Sequence, residues 1–190
     1  EMDRAALHRY LEAAVDAGMP LPRTAGGVFM ERPGIAHLNI TKVAIQGRAP
    51  NPFDSAEMTQ AEWLGREQVR MYQEEFSRFV PGFENCYVID SGAVIGIRES
   101  RRLRGQYKLT GEDVRAARRF DDAIACCAWP MEEHSAGRGT RWVWLENGSY
   151  YQIPYRSLLP QGVGNLLVAG RCASATHEAQ ASLRVTAQCF

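Results

Sequence analysis

Nowhere do the 190 residues contain an apolar run approaching the roughly 18 residues that a membrane-spanning helix needs. The opening stretch, EMDRAALHRY, also lacks the charged-then-apolar order of a secretory signal. Excess charge of one sign is absent as well: 22 basic residues meet 22 acidic ones, which removes the sequence-wide electrostatic argument for a nucleic acid or an anionic membrane as partner. The five cysteines form no C-x-x-C pair and are an odd number, which fits a reducing compartment, so a cytoplasmic location is expected. No two histidines share an H-x-x-x-H spacing, so no metal site is expected, and the missing G-x-S-x-G elbow argues against an α/β-hydrolase. The dinucleotide fingerprint G-x-G-x-x-G is missing too. Gly162-Val163-Gly164 precedes an apolar run instead of following one, and Gly26-Gly27 and Gly137/Gly139 sit in loops, so the chain by itself lacks a pyrophosphate grip.

What is present reads as a globular chain, 45% hydrophobic and 23% charged. DRAALHRYLEAAVDAG spaces Leu7, Tyr10, Leu11, Ala14 and Val15 as one helical face. A Pro/Gly-rich loop then carries Val28-Phe29-Met30, and IAHLNITKVAI alternates as a strand. Thr59-Gln60-Ala61-Glu62 has the form of a capping box, and the periodicity from Leu64 to Phe79 predicts a long helix ending at Pro81. CYVID and AVIGIR predict a hairpin around Ser91-Gly92, and GQYKL a further strand. Thr110-Gly111-Glu112-Asp113 predicts the start of a helix through EDVRAARRFDDAIACCAW, on which Cys126-Cys127 would be small apolar filling. RWVWL and SYYQI, joined by Asn147-Gly148, predict a second hairpin, and GVGNLLVAG a last strand.

Three clusters carry candidate chemistry. In VAGRCASATHEAQASLRV, residues 168–185, an apolar run stops at Gly170 and small residues lead into a helical segment. That is either a tightly packed strand-to-helix turn or a place where a ligand approaches the backbone closely. His177, beside Glu178, is the best candidate for proton chemistry; His37 is second, His134 lies in a glycine-bearing loop, and His8 is solvated. In GIRESRRLRG, residues 96–105, Glu99 stands among Arg98, Arg101 and Arg102 and can hold an arginine fork by paired hydrogen bonds, although a solvated charged face has the same composition.

The blocks HLNITKV, VPGFENCYV, IGIRESRRLRGQYKLTGEDV, RRFDDAIACCAWP, YQIPYRSLLP and NLLVAGRCASATHEAQASLRV, in that order over about residues 35–190, resemble the family of bacterial FAD-dependent oxidoreductases of the glutathione-reductase-like type. The resemblance implies an α+β fold with a mixed or antiparallel sheet and packed helices, closed by a strand-turn-helix belonging to a Rossmann-like FAD-binding domain. Residues 1–156 would form the inserted substrate domain and 157–190 the returning C-terminal segment of the FAD domain, with the N-terminal Rossmann half of the same protein outside this chain. It implies FAD as cofactor, with Gly170, Arg171, Thr176, His177, Glu178, Ala179 and Arg184 against it and Ser182 to Val185 opening a helix toward the flavin. His177, Arg101 and Arg102 would be the catalytic set, and Arg98, Glu99, Asn39 and Arg156 the substrate contacts. The reaction implied is hydride transfer from a small organic substrate to flavin, with this chain inactive by itself. Gln180-Ala181 departs from the small residue and glycine more usual in relatives.

A reading from a different class is a non-catalytic carbohydrate-binding module with Trp142, Trp144, Tyr150, Tyr151 and Tyr155 as stacking surface. Both tryptophans alternate onto one strand face, so exposure of that face favours binding and burial favours the enzyme.

Overall fold

The structure, a computed structural model, describes residues 3–134 and 138–190; Gly137 of the glycine-bearing loop lies outside them. Helices and small antiparallel sheets alternate along the chain, an α+β arrangement as expected. Two compact units result, one from residues up to 96 with 138–140, the other from 97–134 with 141–190. The boundary read at residue 156 falls inside the second unit.

In the first unit, helix α1 (Arg4–Asp16) starts where the Asp3 carboxylate accepts from the Ala5 N–H, and it buries Leu7, Leu11 and Ala14 along one stripe. Helix α2 (Ser55–Phe79) begins one turn before the expected capping box, because Asp54 accepts from the amides of Ala56 and Glu57 and takes the N-cap; the Thr59 hydroxyl donates back to Ser55 O instead. Tyr72 of α2 is buried, and its hydroxyl donates to Arg23 O at 2.6 Å while accepting from the Arg23 N–H at 3.1 Å. The segment read as a loop forms strand β1 (Gly27–Arg32), which pairs antiparallel with β2 (Ile35–Asn39) across a turn at Gly34, φ +81°. The strand read onward from Ile35 stops at Asn39. No strand forms in the expected hairpin around Ser91-Gly92: Tyr87, Val88, Ile89 and Val94 are exposed, so β-prone side chains there have no packed face to join.

In the second unit the largest departure is the helix expected through residue 129. Helix α3 (Gly111–Arg115) has the Thr110–Asp113 capping box but ends at once, with Ala117 at φ +49°. The chain then enters strand β3 (Ala123–Cys127), which pairs antiparallel with β6 (Tyr151–Pro154). Alanine favours a helix locally, but pairing with the buried Tyr151 and Ile153 strand overrides that preference. Cys126 is therefore exposed and Cys127 buried, on opposite faces of a strand. Strand β4 (Met131–Glu133) pairs with β5 (Arg141–Val143). The Asn147-Gly148 turn exists, with Ser149 N–H donating to Glu146 O, but its two flanking strands pair elsewhere, so it closes no hairpin. The last expected strand, 162–170, forms no ladder and bends at Asn165, φ +58°; Val168 N–H donates to Leu158 O, and Val163, Leu166 and Leu167 stay exposed. Helix α4 (His177–Leu183), capped by Thr176, follows a short turn over 170–172, and α5 (Thr186–Cys189) ends the chain. Ser182 to Arg184 thus close α4, and of the stretch expected to open a helix Val185 alone does so, as the N-cap of α5.

Candidate functional site

The start of α4 is shaped by backbone rather than by long side chains. Gly170 turns the chain at φ +67°, a conformation that suits glycine. Ala173, Ser174 and Ala175 are buried behind the turn, and Thr176 accepts from the Ala179 N–H to cap the helix. His177 is consequently held out toward solvent, its side chain 71% exposed.

The segment 97–104 runs alongside this turn. Leu103 N–H donates to Cys172 O at 2.8 Å, and the Arg171 guanidinium donates to Ile97 O. That register brings Glu99 to His177: Nδ1 donates to Oε2 at 2.6 Å, and Arg102 Nη1 meets the other carboxylate oxygen at 3.0 Å. Glu99 therefore fixes both the arginine and the ring, and leaves His177 Nε2 as the free edge of the imidazole. Arg98 points to a second carboxylate. Its Nη1 lies 3.9 Å from Glu132 and against His134 Nε2, which itself sits 3.1 Å from Glu132 Oε1. The contact with His134 holds the Glu132 carboxyl below its usual range against burial, with the Arg98 and Arg184 charges adding. Arg184, at the C-cap of α4, has its pKa lowered first by burial and then by Arg98, while Glu132 and Glu99 counter this. Three arginines and two carboxylates thus gather in one part of the second unit.

Of the expected residues, His177, Glu99, Arg98, Arg102 and Arg184 converge here, and Gly170, Arg171 and Thr176 form the adjoining turn. Arg101 lies exposed on the same segment. Glu178 pairs with Arg115 at 3.0 Å, and Ala179 is wholly buried. Arg156 is gripped by Asp122 at 2.9 and 3.1 Å. Asn39 ends β2 in the other unit. Glu132 and Gln180 were missed. Glu132-x-His134 at the strand spacing of two was a usable signal, since alternate residues share a face. Gln180, buried in α4, donates through Nε2 to Gly170 O at 3.3 Å and leaves its Oε1 without a partner.

The aromatic surface divides. Tyr151 is core, with its hydroxyl on Ser182 Oγ. Trp144 is 72% exposed and stacks on half-buried Trp142, the ring centroids 5.6 Å apart at 21°, and Trp129 meets Trp142 edge-on at 6.4 Å. By the criterion of exposure this face favours ligand binding.

The family model described as FAD dependent oxidoreductase matches residues 3–190, and the chain belongs to that family. No curated protein and no solved structure matches it. The family binds FAD, and the turn fits such a group: an unsatisfied buried Gln180 acceptor lies next to Gly170, and the exposed His177 edge stands at the rim of the turn. Among the described residues no helix is long and apolar enough to cross a membrane, and no three His, Cys, Asp or Glu side chains gather as metal ligands.

Proposed function

We propose that the chain supplies the substrate-facing half of an FAD-dependent oxidoreductase site, with residues 157–190 completing a cofactor cradle whose pyrophosphate-binding glycines come from another segment of the same protein. The observation that carries this is the 2.6 Å His177–Glu99 pair at the rim of the Gly170 turn. When bound, FAD supplies a two-electron acceptor for hydride. With FAD held there as hydride acceptor, His177 Nε2 would take the hydroxyl proton of a CH–OH substrate as that group is oxidised to a carbonyl. Glu99 holds the ring with Nδ1 protonated, so Nε2 is the basic edge, and it stabilises the imidazolium that forms. Arg102 keeps Glu99 in place. Arg98, Glu132 and Arg184 orient the substrate, while Gly170, Arg171 and Thr176 lie against the cofactor.

The substrate is a small organic molecule handled in the cytoplasm, with neither nucleic acid nor membrane as partner. Separated from the glycine-rich segment, the chain is inactive. The test is the visible absorbance of the purified protein in its full polypeptide, with and without added FAD: bound flavin bands are expected, and their absence even with FAD in excess overturns the reading.

A further inference from the structure

The stacked tryptophans and the charged cluster belong to one face. In the β4–β5 ladder Glu132 stands opposite Trp142, so their side chains leave the sheet on the same side; His134 contacts Glu132 beyond one end of the ladder, and Trp144 stacks on Trp142 beyond the other. Glu132 is also the residue that Arg98 and His134 contact, and Arg98 adjoins Glu99, which holds His177. An exposed indole surface therefore runs directly into a set of alternating donors and acceptors.

We infer that this face binds a polyhydroxylated ring, a sugar, as the substrate of the site, with the exposed outer face of Trp144, backed by Trp142, stacking under the ring and Glu132, Arg98 and Arg102 reading its hydroxyls. The inference rests on the oxidoreductase reading for its chemistry, though not for its geometry. The indole faces need a flat ligand with C–H bonds on one side. The charges decide what kind. A carboxylate ligand only accepts hydrogen bonds and would be repelled by Glu99 and Glu132, whereas a hydroxyl both donates to a carboxylate and accepts from an arginine. Three arginines balanced by two carboxylates suit a row of hydroxyls better than an anion. Trp129, edge-on to Trp142, walls the platform and holds that ring in place.

The experiment is calorimetric titration of the full polypeptide, purified with FAD added in excess and then desalted, with methyl glucoside, methyl galactoside, glucuronate and, as a flat aromatic acid, benzoate. Saturable binding of at least one neutral glycoside is expected. Trp144→Ala should weaken it about tenfold, while Trp144→Phe, which keeps a flat ring, retains most of it. Glu132→Gln should weaken glycoside binding too, whereas it would tighten the binding of an anion. Benzoate binding with no glycoside binding, no binding of any probe, or equal affinity in Trp144→Ala each overturns the inference. The flavin spectrum of the same samples separates the two ideas: glycoside binding without flavin sinks the oxidoreductase reading alone, and flavin without glycoside binding sinks the sugar alone.

Discussion

His177 Nδ1 and Glu99 Oε2 meet at 2.6 Å although 78 residues of chain separate them. The contact is made by backbone: the pairing of Leu103 with Cys172 sets the register, and the side chains complete it. Each partner then has a distinct role, the ring moving a proton and the carboxylate fixing which nitrogen does so.

His177→Ala should slow anaerobic bleaching of the flavin by substrate about 100-fold, the lower end of what a positioned base contributes. Glu99→Gln should slow it less, since the ring remains. Stopped-flow absorbance reads both, and the flavin bands should be retained in each. A variant that loses its flavin would make the pair structural instead.

Glu75 of α2 is wholly buried with neither carboxylate oxygen partnered, and burial raises its pKa from 4.5 to about 7. The folded chain therefore holds a proton that the unfolded chain releases. Stability from this group is intact below pH 4.5, falls as pH rises through about 7, and levels off above, the full loss being about 3 kcal/mol. Glu75→Gln should match the parent at low pH and exceed it at pH above 7, as read by urea denaturation across pH.

Asp113 has the opposite sign. Burial pushes its carboxyl up, but Arg118, the Thr110 amide and hydroxyl, and Tyr107 together carry it below 3.8. Its contribution is present above that value and lost as pH falls through the lower, folded-state one. Asp113→Asn should cost roughly 1–3 kcal/mol at neutral pH, because buried hydrogen bonds are left poorly matched, and the difference should close in acid.

Ser182 joins α4 to β6 and to the loop before β4: Tyr151 Oη lies 2.8 Å from its Oγ, which donates to Trp129 O at 2.6 Å. Ser182→Ala strands a buried phenol and a carbonyl. A loss of about 1–3 kcal/mol in the second unit is expected by thermal or urea unfolding, with Ser182→Thr recovering part of it.

Local signals in the sequence located what is local in the fold. The apolar stripe of α1, the Thr110 capping box and the turn at Gly148 needed only neighbours in the chain. The Asp54 cap was missed because two acceptable caps stand five residues apart, and only the geometry before Ser55 chooses between them. Strand β3 was unreadable for a deeper reason: Ala123 to Cys127 are extended only because Tyr151 to Pro154 lie beside them. At the site, His177, Glu99 and the arginines were identifiable as residue types in suggestive company. The His177–Glu99 pairing depends on a backbone contact between distant segments, and the alliance of Glu132 with Trp142 on strand register, so neither was visible in any local pattern. The membership in an oxidoreductase family was legible because long blocks of sequence carry it together.

The Trp142–Trp144 stack has one more effect, an optical one. Two indoles 5.6 Å apart and 21° from parallel are close enough for their electronic transitions to couple, which splits the absorption and gives a paired signal of opposite sign in circular dichroism. That signal overlaps the region from which helix and strand content are read, so the far-ultraviolet spectrum of this protein reports on one pair of rings as well as on its backbone. Anything that slides between or across those rings changes the spectrum without any change in fold.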